Sequence, residues 1–365
     1  MDKLILDLCL KQFNKLPKTG KPTDKEWTVL SCLVQQQENS TFEVVALGTG
    51  SKCIGKSKMC PKGTILNDSH AEIMCRRAFI KYLYNNLQKE SKIFCFNEAT
   101  RKFALKPGVR FHFFSSQVPC GDAAICPKIE EDFVVKKRKI EDINRTGAKC
   151  IGQQDPKGCG QEYHLLGVVR TKPGRGDPTV SVSCSDKLAK WCYLGIQGSL
   201  LMNFLDEPIY LASMILLKNN NCNFSLERAL YKRFSNVDLI GPYKKNVLII
   251  YEVEEGEFKF AKADNKVACA SSIAWCKNEP CEAAINGKRQ GVTKKHLTSA
   301  KGRLTICKLE LFKVFLSKLE GGDANMSYIE AKNLNKTYQD NWQRLKAKFG
   351  AWTVKDLKLL EFKQN

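Results

Sequence analysis

The stretch NDSHAEIMCRR, residues 67–77, contains His70, one of only four histidines in the 365-residue chain. Three residue types that favour helix N-termini precede it, so the sequence predicts a helix that begins here and continues to about Leu87. Glu72 follows His70 by two positions. Both side chains can serve one site if that site lies over the first turn of the helix. This arrangement favours a catalytic or metal centre over a histidine packed in the core.

Two further stretches predict similar junctions between a strand and a helix. SSQVPCGDAAI (115–125) places Cys120 after a predicted strand and a proline, and VSVSCSDKLAKW (180–191) places Cys184 between serines that can cap a helix. A helix N-terminus favours the thiolate form of cysteine. One imidazole and two thiolates form a tetrahedral zinc site with one position open to water. Glu72 beside such an ion can move protons without binding it.

The spacing of the cysteines leaves the third ligand open. A histidine–x–glutamate pair followed by proline–cysteine is typical of zinc nucleobase deaminases, in which a second cysteine comes three positions after the first. Here the next cysteine after Cys120 is six positions away. The candidates for the third ligand are therefore Cys126, Cys150, Cys159 and Cys184.

Composition and charge restrict the class of protein. The chain has 59 basic and 38 acidic residues, a net charge of +21, which favours a polyanionic partner and nucleic acid first. Seventeen cysteines without a signal peptide predict mostly reduced thiols in a cytoplasmic or nuclear protein that is not secreted. No apolar run reaches the roughly 20 residues of a membrane helix, so no membrane partner is expected.

The hydrophobic pattern predicts an α/β layered protein with helical additions toward its C-terminus. A basic run, KKRK at 136–139, is compatible with nucleic-acid binding, a nuclear signal or simple solvation. The predicted helices cover residues 3–15, 67–87, 188–205, 225–234, 302–319 and 328–348. The predicted strands lie within 26–37, 41–50, 109–116, 164–169, 208–217, 246–253 and 271–276.

Several long blocks resemble the deaminase domain of adenosine deaminases acting on RNA. These blocks are LNDSHAE (66–72), PCGDAAI (119–125) and SCSDKLAKWCYLGIQGSLL (183–201). Others are more similar to the members of the family that act on tRNA, and the likeness runs along the whole chain. They are GTGSKCIG (48–55), RTGAKC (145–150), KPGRGDPT (172–179), EPIYLASMI (207–215) and GVTKK (291–295).

The resemblance implies a cytidine-deaminase-like three-layer α/β core with extra C-terminal helices, formed by residues 1–365 as a single domain. It implies Cys184 as the third zinc ligand beside His70 and Cys120, and Glu72 as the proton shuttle. The implied reaction converts adenosine to inosine at position 37 of tRNA-Ala, in the anticodon loop. No separate double-stranded-RNA-binding domain and no DNA partner are expected.

The same resemblance implies a buried inositol hexakisphosphate behind the zinc site. Lys187 and Lys190 open a helix that is otherwise apolar, and buried lysines need a counter-charge. The positions that match the family's contacts are Lys52, Asn67, Arg76, Arg77, Lys187, Lys190, Trp191, Gln197, Tyr328, Lys332, Tyr338, Trp352 and Lys355. Lys308 is a further candidate, and Trp342 stands where the family has a lysine.

Two other functions compete with tRNA deamination. The first is the same reaction on duplex or messenger RNA. The second, of another class, is a non-catalytic RNA-binding protein whose zinc is purely structural. Ligand number separates the second from an enzyme, because structural zinc has four protein ligands and catalytic zinc keeps an open position.

Overall fold

The computed structural model describes residues 1–127, 143–158, 160–174, 176–217, 222–234, 236–254, 256–321, 323 and 325–364. At its centre is an eight-stranded sheet with the spatial order β5-β4-β3-β1-β2-β6-β7-β8. Strands β3, β4 and β5 are parallel, and the other neighbours are antiparallel. In chain order the strands are β1 (Leu30–Gln36), β2 (Phe42–Thr49), β3 (Arg110–Ser115), β4 (Ser213–Leu217), β5 (Ile249–Val253), β6 (Ser271–Cys276), β7 (Glu282–Ile285) and β8 (Lys288–Arg289).

Helices cover both faces of this sheet, so the predicted α/β class is confirmed. Helix α1 (Asp2–Lys15) packs on β1 to β5 of one face, and α2 (Ala71–Asn86) packs on β1, β2 and β6 of the other. The larger part of the core lies on the α2 side, where the later helices add to it. The helices are α1 (Asp2–Lys15), α2 (Ala71–Asn86), α3 (Cys184–Leu194), α4 (Asn223–Glu227), α5 (Lys308–Lys318), α6 (Tyr328–Asn333) and α7 (Lys336–Phe349).

The strongest hydrophobic patterns in the sequence gave correct elements. The helix predicted at 3–15 is α1, which buries Ile5, Leu6, Cys9 and Phe13 at helical spacing against the sheet. The strands predicted near β1, β2, β3 and β6 are also present. Both faces of β1 are buried, which agrees with its nearly continuous apolar run.

The helix predicted over 188–205 and the strand predicted over 164–169 are wrong. Helix α3 ends at Leu194 because Gly195 takes φ +76°, a backbone conformation that interrupts a right-handed helix and suits glycine. Gly167, also with positive φ, lies within the predicted strand, and only the two residues Arg170–Thr171 pair there. Apolar composition alone revealed neither break.

Helix boundaries also differ from the prediction, and α5 begins at Lys308 instead of residue 302. Asp68–His70 forms a short strand paired with Ser51–Cys53, so α2 begins at Ala71 and His70 itself is its N-cap. Asn67, Asp68 and Ser69 are therefore not its caps. The helix predicted at 328–348 is divided into α6 and α7, because the side chain of Asn335 caps a new helix by accepting a hydrogen bond from the Tyr338 amide at 2.9 Å.

Three further features concern the predictions made from composition. The basic run at 136–139 lies outside the described residues. Across the described ranges, no helix combines the length and hydropathy that a membrane span requires. Cys126 and Cys222 form a disulfide, and fourteen other described cysteines are free thiols.

Candidate active site

His70, Cys120 and Cys184 converge on one point although they are far apart in sequence. The Nδ1 atom of His70 lies 3.8 Å from the Cys120 sulfur and 3.7 Å from the Cys184 sulfur. The three ligand atoms lie within 4.8 Å of one another, and no other such group occurs among the residues that the structure describes. Of the candidates that spacing left open, Cys184 is therefore the one that completes the cluster.

The donor set fits a tetrahedral zinc ion. Zinc binds imidazole nitrogen at about 2.0 Å and thiolate sulfur at about 2.3 Å, which places tetrahedral ligand atoms about 3.5–3.8 Å apart. The two nitrogen–sulfur distances agree with this spacing. The pKa of Cys120 is lowered well below its usual value by a hydrogen bond from Cys184, whose own pKa burial raises. The cluster thus already favours a thiolate at Cys120.

Each of the three residues lies just before, or at the start of, a helix or helical turn. His70 ends its short strand at the start of α2, and Cys184 is the first residue of α3, which Ser183 caps. Cys120 follows β3 and is succeeded by a single 3₁₀ turn, Asp122–Ala124, instead of the predicted helix. Gly121 between them has φ +105°, and a Cβ there would lie 2.1 Å from the Ser183 hydroxyl oxygen. The close approach of the two cysteine segments therefore requires glycine.

Two buried ion pairs clamp the cysteine segments. Asp122, two residues after Cys120, accepts a hydrogen bond from Arg228 at 3.0 Å. Asp186, two residues after Cys184, pairs with Arg233 at 2.7 Å. Both aspartates are fully buried, and both arginines lie on or directly after the π-helical stretch Arg228–Lys232. The repeated cysteine–x–aspartate pattern was the sequence signal for this clamp, and the sequence analysis missed it.

Glu72 lies in the first turn of α2, and one of its carboxylate oxygens accepts no hydrogen bond from the described residues. It is 3% exposed, and its Oε2 atom has no hydrogen-bond partner among the described residues. Burial raises the pKa of Glu72, His70 opposes the rise and Cys120 adds to it. A buried oxygen without a partner is costly and is typical of a functional group rather than a structural one. It is the predicted place for a proton shuttle.

A second buried carboxylate links the cluster to neighbouring cations. The ammonium of Lys172, which is fully buried, donates to both Asp68 carboxylate oxygens at 2.9 and 2.8 Å and to the Cys184 sulfur at 3.0 Å. Lys187 also donates to Asp68. Asp68 therefore acts as a counter-ion between two lysines. Burial alone would raise its pKa, but the two lysines hold that pKa far below its usual range. Neither Asp68 nor Lys172 was predicted as part of the site.

Behind this link lies a concentration of basic side chains that we call the cationic cage. All of its members are half-buried, and they come from five helices and the C-terminal segment. Burial lowers the pKa of Lys190 and Lys308 well below the usual value, and neighbouring cage cations lower both further. The members are Arg76, Arg77, Lys187, Lys190, Lys308, Lys332, Lys346 and Lys355.

The cage has more positive charge than the described residues neutralise. Burial and neighbouring cations lower the pKa of Lys355 to about 8, and burial lowers that of Arg76 to about 10. The carboxylate that offsets this repulsion within the described residues is Asp68. The Nη2 atom of Arg77 is buried without a hydrogen-bond partner there. Buried cations in this state require an anion or lose their protons.

Comparison with known proteins agrees with this geometry. Residues 46–356 match the adenosine-deaminase (editase) domain. The chain belongs to this family. It is 37% identical to a Drosophila melanogaster protein named tRNA-specific adenosine deaminase 1, over 99% of the chain and 96% of that protein. The human protein of the same name is 32% identical, with 95% and 97% covered. A Drosophila protein named double-stranded RNA-specific editase Adar is 36% identical over 57% of the chain and 32% of that protein.

Most of the residues that the family resemblance implied as contacts of inositol hexakisphosphate lie together in the cationic cage. Arg76 stacks on Trp191 at 5.3 Å, and Lys190 lies 5.6 Å from the Tyr338 ring and 3.4 Å from that of Trp342. The rings that line this region also include Tyr328, which lies 5.9 Å from the ammonium of Lys332, and Trp352, which packs edge-on against Trp342. Lys346 was not predicted as a member.

For three of the implied residues the structure records interactions outside the cage. Lys52 lies on the short strand before the editase motif and lines a separate surface cavity of about 290 Å³ with Lys58 and Asp177. The side-chain amide of Gln197 is bonded to the backbone of Leu194 and Ile209. The backbone carbonyl of Asn67 accepts hydrogen bonds from Ile54 and Cys53.

Proposed function

We propose that this protein is a zinc-dependent enzyme that hydrolyses adenosine in tRNA to inosine and ammonia. The observation that carries the proposal is the cluster of His70, Cys120 and Cys184, with a Glu72 oxygen in the adjoining helical turn that has no partner among the residues the structure describes. Family membership and the names of the relatives that align over nearly their whole length support tRNA as the substrate. The net charge of +21 supports a polyanionic substrate.

The mechanism assigns separate tasks to the metal ligands and to Glu72. His70, Cys120 and Cys184 would hold zinc, which when bound supplies a water of lowered pKa as nucleophile for C6 of adenine. Glu72 accepts one proton of that water and delivers it to N1 of the base; it then takes the second proton from the new C6 hydroxyl and delivers it to the amino group, which leaves as ammonia while the C6 carbonyl forms. Lys172 donates to Cys184 and fixes its sulfur in place. Burial of the carboxylate keeps bulk water from competing for these transfers.

We further propose adenosine 37 of tRNA-Ala, in the anticodon loop, as the target. A loop base is already unpaired, so it enters a pocket at less cost than a base in a duplex. We propose that residues 1–365 act as a single deaminase domain. The many free thiols fit a cytoplasmic or nuclear location.

We also propose that the cationic cage binds inositol hexakisphosphate. This ligand carries several phosphates, and phosphate oxygens accept charge-assisted hydrogen bonds from arginine and lysine. The buried Arg77 Nη2 atom, which no described residue bonds, and the lowered pKa values of Lys190 and Lys308 support this assignment. The anion would neutralise the positive charge of the cage behind the catalytic centre. Asp68 connects the two, because it pairs with Lys187 of the cage and with Lys172 beside the cluster.

The direct test compares substrates. The purified protein, incubated with deproteinised eukaryotic tRNA-Ala, should form inosine at position 37, read as an A-to-G change on reverse transcription. The value of kcat/KM should exceed that on a long perfect RNA duplex by at least about tenfold. A tRNA-Ala with guanosine at position 37 is the matched control. Faster reaction on the duplex would favour the editing alternative, and no inosine in either RNA from zinc-loaded protein would refute the proposed activity.

A further inference from the structure

Arg145 and Tyr163, which lie between Cys120 and Cys184 in the sequence, form a stacked pair of side chains at the surface. The guanidinium carbon of Arg145 lies 3.7 Å from the centre of the Tyr163 ring. Arg145 is exposed, and Tyr163 is partly exposed. The ring of His164 packs edge-on against Tyr163 at 4.8 Å. Two flat groups are thus stacked in advance at a place that solvent reaches.

This pair is connected to both cysteine ligands. Thr146, next to Arg145, accepts a hydrogen bond through its hydroxyl from the Gly121 amide at 3.3 Å, and Gly121 follows Cys120. On the other side of the pair, the Gly167 amide donates to Asp122 at 2.7 Å. The carbonyl of Arg170 accepts a hydrogen bond from Ser183 at 2.7 Å, one residue before Cys184. The stacked pair therefore lies on the segments that border the metal cluster.

A buried network holds this border rigid. The guanidinium of Arg170 is fully buried and forms a bidentate pair with Asp155 at 2.8 and 2.7 Å. Asp155 also accepts a hydrogen bond from the Leu165 amide at 3.0 Å and lies 3.0 Å from Nδ1 of His164. The bidentate geometry fixes orientation as well as distance. Tyr163 directly precedes His164 and Leu165, two residues that Asp155 contacts.

We propose that Arg145 and Tyr163 form a stacking platform for the base of a nucleotide next to the target adenosine in the tRNA loop. The inference rests on the proposed function, because only an unpaired loop leaves neighbouring bases free to stack. Unpaired RNA bases stack on aromatic rings and on guanidinium planes, and the positive charge of Arg145 attracts the adjoining phosphate. A rigid platform loses little conformational freedom when the base arrives.

The test uses full-length tRNA-Ala with 2-aminopurine in place of the base on the 5′ or the 3′ side of the target. Binding is measured by fluorescence with zinc-loaded protein in the Glu72→Gln background. Stacking should quench one of the two labels. Tyr163→Leu and Arg145→Lys should abolish the quench and weaken binding about 5- to 100-fold. Tyr163→Phe, which keeps the ring, should retain both. Arg101→Ala, which removes an exposed cation from another part of the surface, is the control.

The results separate this inference from the proposed function. Two outcomes refute the platform alone, provided that the wild type forms inosine. One is no quench at either label, and the other is a quench that Tyr163→Leu and Arg145→Lys leave unchanged. Absence of inosine in tRNA from the wild type refutes the proposed function and the platform with it. If Tyr163→Leu does not fold, Arg145→Lys decides the question, because an exposed arginine replaced by lysine leaves the buried network intact.

Discussion

Replacing Glu72 by glutamine should lower the rate of inosine formation by about 10³-fold or more, while the protein still holds one zinc ion. The amide has the size of the carboxylate but cannot accept the proton of the attacking water, and general acid–base catalysis contributes about 10²–10⁴-fold. Single-turnover assays on tRNA-Ala give the rate, and elemental analysis gives the zinc content. Retained zinc with lost turnover separates a proton-transfer role from a role in metal binding.

A matched control makes the same substitution in the central sheet, away from the site. Glu43→Gln changes a glutamate of β2 that pairs with Lys277 at the surface. It lies six residues before Thr49, about 20 Å along the strand from the end that adjoins His70. The rate of this variant should equal that of the wild type. A Glu72→Gln protein with full activity would show that another group transfers the proton.

Removing two cations from the cage should cause the second large effect. The double substitution Lys190→Met and Lys355→Met deletes two of the charges that the proposed inositol hexakisphosphate neutralises. Each hydrogen bond to a charged group contributes about 1.5–3 kcal/mol, so the double variant should retain the ligand at least about 100-fold more weakly and melt at a lower temperature. Native mass spectrometry measures bound ligand, and a thermal scan measures stability. The exposed Lys89→Met is the control.

The sign of the stability change tests the proposal, because the opposite result is expected without an anion. If the cage held no ligand, methionine would relieve repulsion among buried cations and raise the free energy of unfolding.

The pH dependence of ligand binding by the cage has a defined sign as well. The pKa of Lys355 is about 8 without an anion, and a bound polyphosphate favours its protonated form. Binding therefore takes up protons above pH 8, and affinity should fall as pH rises from 8 to 10.

The ligand set shows how far the sequence alone could go. His70, Cys120 and Glu72 followed from helix-start signals and ligand chemistry, since these depend on a few neighbouring residues. Cys184 was one of four candidates by spacing, because only the folded chain decides which distant sulfur arrives. The resemblance selected it, and the 3.7 Å distance to His70 agrees.

The supporting groups were harder to predict because their partners come from distant parts of the chain. Asp68 had the pattern of a helix cap, yet it lies on a strand and neutralises Lys172, which is 104 residues away. Lys172 stands in a polar stretch whose composition suggested only a loop. The fold class was predictable from hydrophobic periodicity, whereas the end of α3 depended on one glycine conformation at Gly195.

X-ray absorption at the zinc edge of the purified protein tests the central claim most directly. We predict one zinc per chain, with two sulfur neighbours at about 2.3 Å and two lighter neighbours at about 2.0 Å, from His70 and a solvent oxygen. Cys184→Ser should lose one sulfur neighbour or the metal, and Cys126→Ser should leave the spectrum unchanged. Three or four sulfur neighbours would indicate a closed structural site and contradict the account.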